Sequence, residues 1–290
     1  MVIRKTIPCF RNDSRPAEGS ALMDPEYARA IDLSQKIAAE VGTPRFYLER
    51  EREIALSRAM FSSEPLVKEG LRVIEEQRDC LGHGLTHVRK VATDVGALIL
   101  IEQRGATADT DVRRLVLLAH LAALLHDIRR SGKNHAERGA EAAIEILASF
   151  AIRDDERAEI AGAIRNHEAF QPFRVEWAPD AMLLSDTLYD ADKFRWGPDN
   201  FTETLWAMVI PLGIPLRTIL PRFLSGLEGI QKIRGSFRTA TGREYGPDFI
   251  DRGLEIGRKL YGELMERQNP ANAEQGEKYD KIHRQNGHPV

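Results

Sequence analysis

Cysteine is almost missing: Cys9 and Cys80 are the only two in 290 residues. Two thiols build neither a disulfide framework nor a thiolate metal site, which suits a reducing cytoplasm. Cys80 reads as a small packed side chain. Long apolar runs are also missing. The longest, Leu115 to Leu125, is interrupted by His120 and is shorter than the ~18 residues a membrane span needs. The opening MVIRKTIPCFRNDSR has no apolar h-region, so a cleaved signal peptide is not expected. There is no basic block and no basic-aromatic stripe. A net charge of −3, with both signs interspersed, argues against duplex nucleic acid as main partner. A small phosphorylated ligand needs only a few local cations and stays open. A Gly-rich phosphate loop is absent too, since GHGLTH is too short and lacks the strand context. No Ser-His-Asp or Cys-His nucleophile motif stands out.

Proline is absent between Pro65 and Pro172, which permits a long helical block. Val112, Leu115, Val116, Ala119, Ala122 and Ala123 recur at three- and four-residue spacings, and Ile144, Leu147 and Ala148 repeat the pattern. Alternating strand-like runs are scarce. The expected fold class is therefore all-α. Asp24-Pro25 reads as an N-cap with proline at the first helical position. Gly42-Thr43-Pro44 reads as one helix ending and the next beginning. Asn134 followed by Glu137 resembles a capping box. Gly246-Pro247 reads as the start of a last long helix. Helices are expected near 25–41, 44–61, 64–78, 83–104, 109–128, 135–149, 154–167, 180–190, 199–209, 213–223 and 247–266. Residues 1–22 and 268–290 are polar and lack a packing face, so a single helical domain is expected over 23–267. His283 and His288 fall in the second tail and read as solvated. The stretches Gln171 to Pro179 and Arg234 to Gly246 read as surface loops, with the second a candidate border of a site.

The residues that carry chemistry are separated histidines and aspartates. They lie in GHGLTHVRKV, LAALLHDI and LYDADKF, which contain His87, His126-Asp127 and Asp192. Asp127 sits between leucines and an isoleucine at the end of an apolar helix. There both burial and the negative end of the macrodipole oppose a carboxylate. Positive charge should sit nearby, supplied either by Arg129 and Arg130 or by a divalent cation. Adjacent positions on a helix differ by ~100° in direction, so His126 and Asp127 can flank one ion beyond the helix end.

In this order, a His, a His-Asp pair and a distant Asp, the chain resembles the HD-domain metal-dependent phosphohydrolase superfamily over about residues 76–200. His83-x-x-x-His87-Val-x-x-Val91 looks like that family's first motif, LAALLHDI its second and DADKF its last, with Lys193 where relatives often have arginine. The resemblance implies a multi-helix HD-domain bundle with extra N- and C-terminal helices, which would cover the core or form a homodimer contact. It implies that His87, His126, Asp127 and Asp192 meet at one divalent ion. Mixed imidazole and carboxylate donors suit Mn, Fe, Co, Ni or Zn, and leave Mg open. Relatives with two further histidines in this order hold a second metal. Carried over, His135 and His167 would bind it with Asp127 bridging. His135 follows Asp127 by only eight residues, so the alternatives are a helix-start residue near substrate and a helix-end histidine favoured by the dipole. The resemblance assigns no ligand role to His83. His120 points about 120° from His126 and reads as a core histidine.

The function implied is metal-dependent cleavage of a phosphate ester of a nucleotide or other small molecule, by a water whose pKa the metal lowers toward ~7. Asp127 would orient the water or bridge two ions. Lys193, Lys133 and Arg130 are candidates for contacting phosphate. The competing readings are a binuclear iron oxygenase on the same scaffold and a non-catalytic nucleotide- or metal-binding module.

Overall fold

The computed structural model describes residues 24–76, 84–104, 109–130, 133–172 and 178–267. Cys9, Cys80, His83, His283, His288 and both polar ends lie outside the described residues, and the stretch Gln171 to Pro179 is described only at its two ends. Among the described residues there is no strand, and the all-α class expected from the sequence holds. In chain order the helices are α1 (Pro25–Val41), α2 (Arg45–Glu49), α3 (Glu51–Ser63), α4 (Pro65–Glu76), α5 (Gly84–Glu102) and α6 (Asp109–Leu125). They continue with α7 (His135–Leu147), α8 (Asp154–Arg165), α9 (Pro179–Phe194), a π turn (Asn200–Thr204), α10 (Leu205–Val209), α11 (Leu216–Ile233) and α12 (Ala240–Arg267).

The apolar run 115–125 becomes the axis of the molecule. Every residue from Leu115 to Leu125 is buried, including His120. A helix that is apolar all round must be surrounded, and α6 packs against α3, α4, α5, α8 and α9. Helix α5 lies beside it with Val91, Val95, Leu98 and Ile99 fully buried. Helix α12 packs on α2, α5 and α9, with α1 and α11 packed on it in turn, and Phe46 of α2, Phe194 of α9 and Tyr245 and Phe249 of α12 form an aromatic cluster. Seating Phe46 there accounts for one departure from the sequence reading. The helix expected over 44–61 breaks at Arg50 (φ −123°, ψ 27°) into α2 and α3.

Some local signals held, and others were outweighed by contacts from far along the chain. Asp24 caps α1, accepting the Glu26 amide at 2.8 Å, with Pro25 at N1, and Gly42 ends the helix at φ 85°. Asn134, in contrast, forms no capping box: its backbone is left-handed and its side chain makes no cap bond. Glu137 is drawn instead to Arg165 of α8, at 2.9 Å. The last helix does not open at Gly246-Pro247. It opens at Ala240, capped by Thr239, whose Oγ1 accepts the Gly242 amide at 2.8 Å. Glu102 accepts the Thr241 amide at 2.6 Å, and Asp190 accepts the amides of Arg238 and Thr239 at 2.8 Å each. Pro247 is carried inside the helix. The loop expected over 234–246 therefore shrinks to residues 234–239. A Cβ at Gly242 would fall on the Asp190 carboxylate, so only glycine allows this close approach. Helix α9 also outruns its expected end at 190, which places Asp192 and Lys193 in its last turn.

His120 is fully buried, with Ser57 Oγ 3.1 Å from its Nε2. Burial pushes its pKa down to about 3. The unfolded chain takes up a proton at about pH 6.5 that the folded chain refuses until about pH 3. Stability from this group is therefore whole above about pH 6.5 and is lost as pH falls toward 3, by up to about 1.4 kcal/mol per unit. Urea unfolding at pH 7 and pH 5 should show the wild type losing about 2 kcal/mol more than His120→Gln. Equal losses would contradict a neutral buried imidazole.

Candidate metal centre

Five helix ends meet at one end of the bundle. His87 lies in the first turn of α5, and His126-Asp127 form the turn that follows α6. His135 opens α7, His167 stands two residues beyond α8, and Asp192 lies in the last turn of α9. Helices α7 and α8 are held together by the Glu137–Arg165 pair. Gly139 lets α7 press onto the His126 turn, since a Cβ there would lie 3.1 Å from the His126 carbonyl oxygen. Three of the five ends are C-terminal, and their macrodipoles favour a cation.

The six side chains separate into two groups, each able to hold a metal: His87, His126 and Asp192, and Asp127, His135 and His167. In the first, His87 Nε2 lies 3.4 Å from His126 Nε2 and 3.5 Å from Asp192 Oδ1. His126 Nε2 lies 3.7 Å from Asp192 Oδ1. In the second, His135 Nε2 lies 3.3 Å from His167 Nε2, and Asp127 Oδ1 lies 3.8 and 3.6 Å from those two nitrogens. Ligands at ~2.1 Å from one tetrahedral ion are about 3.4 Å apart, so both triangles have the size of a coordination face. Asp127 belongs to the second group but adjoins the first: its Oδ1 faces His135 and His167, while its Oδ2 is 3.4 Å from His126 Nε2.

Hydrogen bonds hold the imidazoles for this work. His126 Nδ1 is 2.7 Å from the Ala123 carbonyl and His167 Nδ1 2.6 Å from that of Ile164. A carbonyl only accepts, so each Nδ1 donates and turns the Nε2 edge inward, where a neutral ring offers its lone pair. His135 Nδ1 is 3.0 Å from Glu168 Oε1. Asp127 Oδ1 is buried without a hydrogen-bond partner. An orphaned carboxylate oxygen is costly, and a cation would satisfy it. Arg130 Nη1, 2.6 Å from Asp127 Oδ2, supplies part of the positive charge that the sequence demands. It leaves Oδ1 unpaired, so the arginine does not replace a metal.

The electrostatics agree. Burial opposes charge on His126, yet Asp127 and Asp192 lift its pKa to about 10. Burial likewise opposes ionisation of Asp127 and Asp192. His126, with His167 and Arg130, outweighs it for Asp127, and Lys193, His126 and His87 do so for Asp192, so both stay well below the usual carboxylate range. Burial pushes His87 down, and burial with the neighbouring His167 pushes His135 down. Two buried carboxylates thus draw positive charge onto His126, while His87 and His135 are held toward the neutral form.

A cavity of about 580 Å³ opens on the centre. His87, His135, His167 and Asp192 line it, with Arg130, Lys193 and Lys232 as cations. Phe170, Trp196, Met208 and Ile233 make an apolar side. Lys193 is buried, its Nζ 2.5 Å from Asp192 Oδ2. Lys133 departs from expectation: it sits exposed in the turn before α7, outside the cavity lining. Phe170 is exposed at 66% and held at φ 62°. That conformation is uncommon for a bulky residue and costs about 1 kcal/mol or more. Sequence reasoning missed Glu168, Arg195 and Trp196, although each adjoins a motif. Lys232 reaches the cavity from α11 and left no local signal.

No family model matches the chain, and no curated protein matches it. Among solved structures, a crystal structure of a predicted HD superfamily hydrolase from an uncultured Thermotogales bacterium is similar at 24% identity. The match covers 69% of this chain and 94% of that one, with a TM-score of 0.41.

The two triads predict separable ions. His167→Ala should lower bound divalent metal by one ion per chain, while Asp127→Asn should affect both sites. Added Mn or Zn at about 100 times Kd should stabilise the wild type by about 2.7 kcal/mol per independent site, and Asp127→Asn should lose most of that gain. Elemental analysis and thermal denaturation read both effects. Unchanged metal content in Asp127→Asn would contradict a shared carboxylate.

Proposed function

We propose that this chain is a metal-dependent phosphohydrolase that cleaves a phosphate ester of a nucleotide or another small molecule. The observation that carries the reading is the Asp127 carboxylate, whose Oδ1 completes the triad with His135 and His167 while its Oδ2 lies 3.4 Å from His126 of the other. His87, His126 and Asp192 would hold one divalent ion, and His135 and His167 a second, with Asp127 between them. Such ions, when bound, lower the pKa of a water and offset phosphoryl charge.

The chain's own residues supply the rest. Lys193, tied to Asp192, and Arg130, tied to Asp127, set two cations against the ligand carboxylates. With Lys232 they would take up phosphate oxygens by charge-assisted hydrogen bonds. Glu168 would fix the ring of His135 through Nδ1. The side formed by Trp196, Met208 and Ile233 would exclude water and receive the organic part of the substrate. The resemblance of GHGLTHVRKV, LAALLHDI and DADKF to the HD motifs supports the same reading.

A binuclear iron oxygenase is the second reading, favoured by the two-triad arrangement, which suits a pair of iron ions equally well. Protein purified without added metal, assayed for phosphate release with several divalent ions under argon and in air, separates the two. The expected result is phosphate release without O₂, falling at least about a thousandfold in His126→Ala and Asp127→Ala. Turnover only by iron-loaded protein in air would establish the oxygenase instead. Full phosphate release by both variants would refute the mechanism.

A further inference from the structure

The cavity at the metal centre does not end at His87. A second hollow of about 420 Å³ shares His87, Arg195 and Thr204 with it. A third, of about 490 Å³, shares Thr86, Lys90, Arg195 and Asp199 with the second. The three make one groove along α5, walled in part by the π turn, which contributes Asn200 to the first hollow and Thr204 to both the first and the second. Single π turns inside helical proteins recur at functional sites.

The charged groups of this groove are of two kinds. Arg195 is buried and bonded to Asp94, Asp199 and Tyr47. Lys90 Nζ lies 2.9 Å from Asp199 Oδ1 and 2.6 Å from Glu203 Oε1. These acids and bases neutralise one another and fix the floor. Arg58 of α3 and Arg89 of α5 line the third hollow, are exposed, and make no ion pair among the described residues. Their guanidinium donors are therefore available in a concave site whose carboxylates are already engaged. Thr86, Arg89, Lys90 and Thr93 recur at helical spacing on the groove side of α5. Arg89 follows His87 by two residues, about 200° around the helix from it, so the groove winds about α5 toward Arg89.

We propose that this far hollow holds a second phosphate of the substrate. The substrate would be an elongated bisphosphate, its scissile group at the metal centre and its other phosphate in the far hollow on Arg58 and Arg89. This rests on the phosphohydrolase reading and goes beyond it by naming the substrate class.

Alkanediol bisphosphates of increasing length serve as a ruler against the matching alkyl monophosphates. On the full chain, kcat/KM for the best-fitting diol bisphosphate of the series should exceed that for the matching alkyl phosphate by at least about tenfold, and the shortest diols should lose the advantage. The double variant Arg58→Gln/Arg89→Gln should bring that ratio to within about threefold, with bound metal unchanged. Calorimetry with the corresponding bisphosphonate and monophosphonate reads the same preference without turnover. No hydrolysis of either ester, with the binding preference intact and lost in the double variant, would sink the phosphohydrolase reading and sustain the subsite. Hydrolysis with no preference for the bisphosphate in rate or binding would overturn the subsite. So would a length-independent stimulation of alkyl phosphate hydrolysis by free inorganic phosphate, because the arginines would then serve a separate anion.

Discussion

The Asp127 carboxylate is the constraint around which this end of the molecule is arranged. It is buried among leucines at a helix C-terminus, where both desolvation and the macrodipole oppose its charge. One oxygen is met by Arg130 and approached by His126. The other has no hydrogen bond and faces His135 and His167. An arrangement that strands a carboxylate oxygen among imidazole lone pairs makes little sense as packing. It makes sense as a receptacle for positive charge.

The fold supplies the rigidity this requires. A central helix buried from Leu115 onward delivers His126-Asp127, and α5, α8 and α9 packed on it, with α7 packed on α8, deliver the other donors from their ends. Donors at helix ends are set by how the helices pack rather than by loop conformation, so their separations are fixed by the core. The carbonyls of Ala123 and Ile164 then fix the orientation of two imidazole rings. Farther out, the Arg195 network ties α2, α5 and the segment after α9 to one another, which shapes the groove leading away from the centre.

Much of this was legible in the sequence because its signals are local. The Asp24 cap and the Gly42 stop involve neighbours within a few positions. The segments holding His87, His126-Asp127 and Asp192 were read as lying at the end of or within helices, although Asp192 falls two residues past the helix end expected at 190. The start of α12 was not legible. Gly246-Pro247 is strong punctuation, but Asp190 and Glu102, 49 and 139 residues before the Thr239 and Thr241 amides they accept, fix the turn at Thr239 and outweigh it. The Asn134 capping box failed because Arg165 competes for Glu137. Lys232, likewise, reaches the cavity only through the packing of α11. Glu168 and Trp196 could have been found, since each adjoins a motif residue, but adjacency in a helix or turn does not reveal which way a side chain faces.

The most direct measurement is anomalous diffraction from crystals of the full chain grown with Mn or Zn. The account places two peaks ~3.5–4 Å apart, one inside each triad, with the Asp127 carboxylate between them and its Oδ1 on the ion held by His135 and His167. A map with no peak at this centre, or with Asp127 bound only by Arg130 while the metal lies elsewhere, would contradict it.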